Sequence, residues 1–228
     1  MQLAATSPAS IRPYSPLGLK VYDPLIVETL APRVWRCSPE RVVAFYDRHV
    51  TANHADLGVA TGYFLDRCDF HTPHPRLALI DLQPHCLRYA ARVLSRYQPE
   101  TYLRDALTPI VGIPGRRFDS IAIGGVLHCL AGDLKRKARV FDAIAPLAKG
   151  GTKVFGYTLL RDGVDSTLAR LARALLNRAG VVDNQNDTES DLRNALEARF
   201  AEVSIELSGC MALFSGVVPH DNNISGGE

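Results

Sequence analysis

HADLGVATGYFL, His54 to Leu65, followed a short loop later by RLALIDLQP, Arg76 to Pro84, decides how the rest of the chain is read. The first stretch runs from a strand into a turn of small residues and on into the start of a helix. The second is a strand that ends on an acid. A backbone that must pass close to a ligand needs residues without bulk, and Gly58, Ala60 and Gly62 supply them at alternate positions. An acid closing the next strand, Asp81, is placed to accept hydrogen bonds from the two hydroxyls of a ribose. The pair predicts an α/β sheet holding a nucleoside-bearing cofactor.

Outward from this pair, strands and helices alternate. Strand one ends at Asp56–Gly58, and further strands are expected at Leu77–Asp81, near Thr101–Arg104, at Ile121–Ile123 and at Lys153–Tyr157. Pro84 opens a helix with Leu87, Ala90, Ala91 and Leu94 on one face, and another helix is expected from about Asp133 to Ala145, stopped by Pro146 and Gly150–Gly151. This alternation predicts a mostly parallel sheet covered on both faces. Ahead of it, SPERVVAFYDRHV has Ser38 as N-cap, Pro39 at the first helical position and Glu40 in the first turn, with Val42, Val43, Phe45 and Tyr46 as an apolar face. In the last third, Leu168, Leu171 and Leu175 suggest one amphipathic helix and Leu192, Leu196 and Phe200 another. Two strand-like runs, Val203–Leu207 and Met211–Val217, are joined only by Ser208–Gly209, so they form a hairpin and one strand must be antiparallel. The expected organisation is a loose arm over 1–17, a single domain over 18–220 whose first part, 18–50, is a helical lead-in, and a frayed tail over 221–228.

Bulk properties narrow the function classes. The chain has 228 residues, 46% of them hydrophobic, enough for a sizeable core. A formal charge of +2 argues against nucleic acid or an anionic membrane as partner. The basic run LKRKAR, Leu134 to Arg139, reads as a solvated helix face. The N-terminal stretch has no basic region followed by an apolar one, so no secretory signal is expected, and no run is long and apolar enough to span a membrane. The cysteines Cys37, Cys68, Cys86, Cys129 and Cys210 show no CxxC spacing, which argues against zinc and disulfides and fits a reducing cytoplasm. His71 and His74, in FHTPHP, read as a surface loop, because no third metal ligand is evident.

Two nucleoside cofactors compete. The nicotinamide fingerprint GxGxxG puts its third glycine on Tyr63 when counted from Gly58, and on Leu65 when counted from Ala60; both are bulky. DLGVATG, Asp56 to Gly62, instead resembles the first motif of the class I S-adenosylmethionine (SAM)-dependent methyltransferase family, an acid followed by glycines at alternate positions, with Ala60 in place of one glycine. Four further segments resemble that family in order: LALIDLQP around Asp81, YLRDAL around Asp105–Ala106, FDSIAIGGVLHCL from Phe118 to Leu130, and LAKGGTKVFG from Leu147 to Gly156. The terminal hairpin is also a feature of the family.

The resemblance implies a Rossmann-like, doubly wound, seven-stranded sheet that is mostly parallel, with helices on both faces and a C-terminal antiparallel hairpin. It implies methyl transfer from SAM to a small organic acceptor on oxygen, nitrogen or carbon, with S-adenosylhomocysteine (SAH) as product and no metal. Cofactor contacts are expected from Tyr22, Asp56, Gly58, Ala60, Gly62, Asp81, Leu82, Asp105, Ala106, Gly124 and Gly125. Asp81 is expected on the ribose, Asp105 on the adenine amino group, and Leu82 and Ala106 on the faces of the ring. His128, just after strand four, is the candidate base or orienting group. The acceptor pocket is expected from the lead-in and from the segment after strand five, with Tyr14, Trp35, Tyr157, Arg161, Met211 and Phe214 as lining candidates. Specialised metabolism, a small-molecule partner and a homodimer complete the expectation. Two alternatives stay open at this level: a SAM-binding protein without methyl transfer, since cofactor motifs report binding rather than turnover, and a nicotinamide-dependent oxidoreductase.

Overall fold

The computed structural model describes residues 14–163 and 166–220. The helical lead-in comprises α1 (Pro16–Tyr22), a wide π-helical segment (Asp23–Trp35) and α2 (Pro39–His49). Ser15 caps α1 by accepting from the Gly18 N–H, so helix begins inside the stretch expected to be a loose arm; residues 1–13 of that arm, and the 221–228 tail, lie outside the described residues. Ser38 caps α2 by accepting from the Arg41 N–H, with Pro39 in the first turn, as its sequence predicts.

Seven strands follow: β1 (Asn53–Leu57), β2 (Arg76–Asp81), β3 (Glu100–Leu103), β4 (Ser120–Gly124), β5 (Lys153–Leu159), β6 (Ala201–Ser208) and β7 (Met211–Val217). They form one sheet in the order β3-β2-β1-β4-β5-β7-β6. The first five run parallel, and β7 lies antiparallel to both β5 and β6. The Rossmann-like sheet and its antiparallel hairpin are therefore as the sequence implies. Every residue of β1 and β4 is buried, as strands covered on both faces must be.

Helices α3 (Tyr63–Arg67), α4 (Pro84–Val93), α5 (Leu134–Lys137), α6 (Arg139–Ala143), α7 (Thr167–Arg178) and α8 (Glu189–Glu197) lie between the strands among the described residues. Two apolar clusters fill the sheet's two faces. One joins Ile121, Ile123, Phe141, Leu196 and Phe214; the other joins Phe45, Tyr46, Leu65, Leu79, Ala90 and Phe155.

Three expectations need correction. The single helix from Asp133 to Ala145 is two short helices that meet at Ala138, followed by a 3-10 turn at Ala145–Leu147. In LKRKAR, Lys137 is not solvated: it is fully buried, and its ammonium lies 2.6 Å from Asp187 Oδ2. The helix predicted around Leu168, Leu171 and Leu175 exists, but that stripe points outward, 57%, 59% and 67% exposed. Ala169, Ala172 and Leu176 face the core instead.

Candidate functional site

Strand order reverses between β1 and β4, which opens a crevice at the carboxyl ends of the strands, where α/β sheets bind ligands. A cavity of about 210 Å³ occupies it. Its floor is the turn after β1 (Gly58, Ala60, Thr61), the end of β2 (Asp81, Leu82, Gln83), the loop after β3 (Arg104–Ala106) and the end of β4 (Gly124, Gly125, Val126). Its roof comes from the lead-in, with Tyr14, Tyr22, Ile26, Val27, Ala31 and Trp35. His128, Cys129, Tyr157, Leu159 and Met211 close it on the β4–β5 side.

The turn after β1 requires its small residues. Gly58 sits at φ +80°, and a Cβ there would come within 2.3 Å of Val126 Cγ2. Ala60 adopts the same left-handed region at φ +48°, an unusual state for a residue with a side chain. Its N–H points back at Asp81 Oδ2 across 3.4 Å.

Asp81, only 8% exposed, also accepts the Gln83 N–H at 2.7 Å through Oδ1. Burial raises its carboxyl to about 6; the amide bonds work against that rise and the charge of Asp56 adds to it. Each carboxylate oxygen keeps a lone pair beyond these bonds, so a pair of vicinal hydroxyls finds two acceptors. Asp105 Oδ1 accepts the Leu107 N–H at 2.9 Å, leaving its other oxygen for a ligand, and Leu82 and Ala106 line the cavity beside it. A turn that admits close backbone approach, a carboxylate at the end of β2 and an acid flanked by apolar groups after β3 together fit an adenosyl group.

The roof is tied to the floor: the Thr61 hydroxyl donates to Asp23 Oδ1 at 2.7 Å. Above, the hydroxyl oxygens of Tyr14 and Tyr22 stand 3.4 Å apart and their rings 5.3 Å apart. Burial pushes the phenols of Tyr14 and Tyr157 far up and that of Tyr22 to about 12, so all three hydroxyls hold their protons.

His128 lies on a 3-10 turn (Leu127–Cys129) after β4. Its Nδ1 accepts the Leu159 N–H at 3.2 Å and stands 3.3 Å from the Thr158 hydroxyl. Burial, reinforced by the charge of Lys137, lowers the imidazolium to about 4.

Four residues expected in the site lie elsewhere. Asp56 is buried on β1 beside the Tyr46 phenol, which it helps to raise, and does not line the cavity. Gly62 sits at the start of α3 at φ +79°, where a Cβ would meet Leu94 Cδ1 at 3.1 Å and Ala90 Cβ at 3.3 Å; it serves helix packing. Phe214 is fully buried against Phe141, because it lies three residues from Met211 on a strand and so on the opposite face of the sheet. Arg161 faces solvent beside Asp162. The segment after β5, expected to line the acceptor pocket, contributes no lining residue among its described residues; Leu159, which does line it, is the last residue of β5.

That segment instead buttresses the site. Lys137 Nζ also donates to the Asp183 carbonyl, the Asp183 N–H donates to the His128 carbonyl at 2.8 Å, and Asn184 Nδ2 donates to the Leu159 carbonyl at 2.9 Å. This network was missed in the sequence, as were the lining residues Phe64, Gln83, Arg104 and Cys129. A lysine in a basic run carries no local sign of burial; its partner lies 50 residues away. His71 and His74 are exposed, and no cluster of three or more potential metal ligands occurs among the described residues.

No family model matches the chain. Curated relatives do. The chain is 34% identical over 202 residues to demethylluteothin O-methyltransferase of Streptomyces thioluteus, covering 88% of this chain and 87% of the relative. It is 36% identical over 212 residues to methyltransferase ctvB of Aspergillus terreus, covering 90% and 93%. Among solved structures, human N-acetylserotonin methyltransferase in complex with SAM superposes with a TM-score of 0.63 at 16% identity, over 93% of this chain and 59% of that one; this likeness speaks to the fold.

Proposed function

The chain belongs to the class I SAM-dependent family of small-molecule methyltransferases, and from that premise we propose which residues hold the cofactor and what class of acceptor it serves. SAM, when bound, supplies a methyl group on a sulfonium that departs as a neutral thioether. The chain's own task is to bind, align and exclude water.

In this proposal Asp81 accepts the ribose hydroxyls, Asp105 accepts from the adenine amino group between Leu82 and Ala106, and the turn Gly58–Thr61 together with Gly124–Gly125 borders the polar end of the cofactor. Tyr22 closes over it from the lead-in. Tyr14, Trp35, Tyr157 and Met211 surround the acceptor, and His128 orients it. The observation that carries the reading is the convergence of Asp81, Asp105 and His128 on one cavity whose roof is aromatic and apolar. The relatives' names include an O-methyltransferase acting on demethylluteothin, which supports a small organic acceptor of specialised metabolism for this chain as well. The domain limits 18–220 extend in this proposal to Tyr14, because that residue lines the cavity.

Five free cysteines fit a reducing cytoplasm as the place of action, and no helix among the described residues is long and apolar enough to cross a membrane. A homodimer is part of the proposal, read by sedimentation of the full chain. The direct experiment is incubation with methyl-labelled SAM and a panel of small phenols, acids and amines, alongside calorimetry with SAH. SAH binding with label leaving the cofactor supports the reading; absence of SAH binding overturns the cofactor assignments.

A further inference from the structure

His128 is held by its inner nitrogen. The Leu159 N–H is a donor whatever the state of the ring, so Nδ1 must keep its lone pair for it, and the proton of the neutral ring sits on Nε2. The Thr158 hydroxyl stands beside the same nitrogen. Among the described residues Nε2 has no protein partner, and the residue lines the cavity. What His128 presents to an acceptor is therefore an N–H. To take a proton at Nε2 the ring would first have to move its own to Nδ1. That would break the bond to Leu159 and leave a buried backbone amide unpaired.

No neighbour takes over the part of a base. Tyr14, Tyr22 and Tyr157 hold their protons, and burial pushes the Cys129 thiol up to about 11. The lining carboxylates Asp81 and Asp105 are assigned above to the ribose hydroxyls and the adenine amino group, so the cofactor takes up the acceptor positions that the amides of Gln83, Ala60 and Leu107 leave open. The side of the cavity around His128 is furnished with uncharged donors.

We propose that His128 is a positioning N–H donor rather than a base, and that the site takes an acceptor arriving as an oxyanion, an acidic hydroxyl or carboxylic acid already ionised at neutral pH. This rests on the methyl-transfer reading above. The lone-pair count decides the class. A neutral amine has one lone pair, and a donor aimed at its nitrogen occupies the pair needed for attack. An oxyanion has three: one accepts from Nε2–H while another forms the O–CH₃ bond, the C–S bond breaks with its electron pair returning to sulfur, and the negative and positive charges cancel. No proton has to be removed, so no base is needed.

The test uses the full chain, ¹⁵N-labelled and saturated with SAH. Ring nitrogen resonances of His128, identified by their loss in His128→Gln, report the tautomer. The expected result is a neutral Nε2–H ring that does not change between about pH 6 and pH 8. Benzoate should shift the Hε2 signal, and aniline at the same concentration should not. His128→Gln, which keeps an N–H at the ε position, should retain most of the benzoate affinity, whereas His128→Phe should lose roughly 10-fold or more. A proton on Nδ1, or a charged ring near about pH 6, overturns the donor assignment. An aniline shift as large as that of benzoate, or no response to benzoate, overturns the oxyanion class. Calorimetry on the same sample separates the two levels: failure to bind SAH sinks the methyl-transfer reading itself, while SAH binding with the proton on Nδ1 sinks only this inference.

Discussion

At the scale of single residues, Asp81 at the end of β2 and Ala60 in the turn after β1 show how much chemistry a few atoms compress. Burial holds the Asp81 carboxyl near 6, above its ordinary 3.8. Between those values the folded protein binds a proton that the unfolded chain does not, so this group favours folding as pH falls through about 6 and disfavours it above. In the proposed binding mode the cofactor has the opposite preference, because a ribose on Asp81 needs the ionised acceptor. SAH affinity measured by calorimetry should therefore fall as pH drops below about 6, and Asp81→Ala should weaken it by roughly 10- to 100-fold at neutral pH. At Ala60, relief of the left-handed penalty, ~1–2 kcal/mol, outweighs the ~0.5–1 kcal/mol that glycine's extra freedom costs. Ala60→Gly should raise the melting temperature by about 1–4 °C in a thermal scan.

At the scale of elements, the segment from β5 to α8 is a brace rather than a wall. Its anchor is the fully buried Lys137 on α5, bonded to Asp187 and to the Asp183 carbonyl. Removing one member strands a charge in the interior, so Lys137→Ala should cost about 3–5 kcal/mol in denaturant unfolding. The double change Lys137→Met with Asp187→Leu should cost less than that single one, because no charge is left unpaired. On α7, by contrast, Leu171 is 59% exposed, and Leu171→Gln should stay within about 0.5 kcal/mol of the parent. The contrast reverses what hydropathy alone suggests: here the lysine is core and the leucine is surface.

At the scale of the whole molecule, the lead-in and the sheet close one cavity together. Thr61 in the turn after β1 bonds Asp23 at the start of the π-helical segment, and the Cys210 N–H of the hairpin turn bonds the Trp35 carbonyl at its end, 2.9 Å away. The roof is thus fastened at the turn after β1 and at the antiparallel hairpin. A ligand that fills the space between should stabilise the folded state as a unit. SAH at about 100 times its dissociation constant should add roughly 2.7 kcal/mol. Differential scanning calorimetry should show this as a single shifted transition.

The strand–turn–strand of His54 to Asp81, the alternation of strands with helices and the short link at Ser208–Gly209 determined the sheet, its antiparallel edge and the cofactor class. Each is a local signal: period, small residues at a turn, an acid at a strand end. Gly58 and Asp81, proposed here as cofactor contacts, could be named for the same reason, whereas Asp105 and Ala106 were named through the resemblance to the family. What only the tertiary structure decided was facing and pairing. Met211 reaches the cavity and Phe214 the core because strand parity divides them. Lys137 meets Asp187 across 50 residues, and the protonated nitrogen of His128 is selected by an amide 31 residues further on. Such partners are distant in the chain, and a charge or an imidazole looks the same in sequence whether water or a buried hydrogen bond surrounds it.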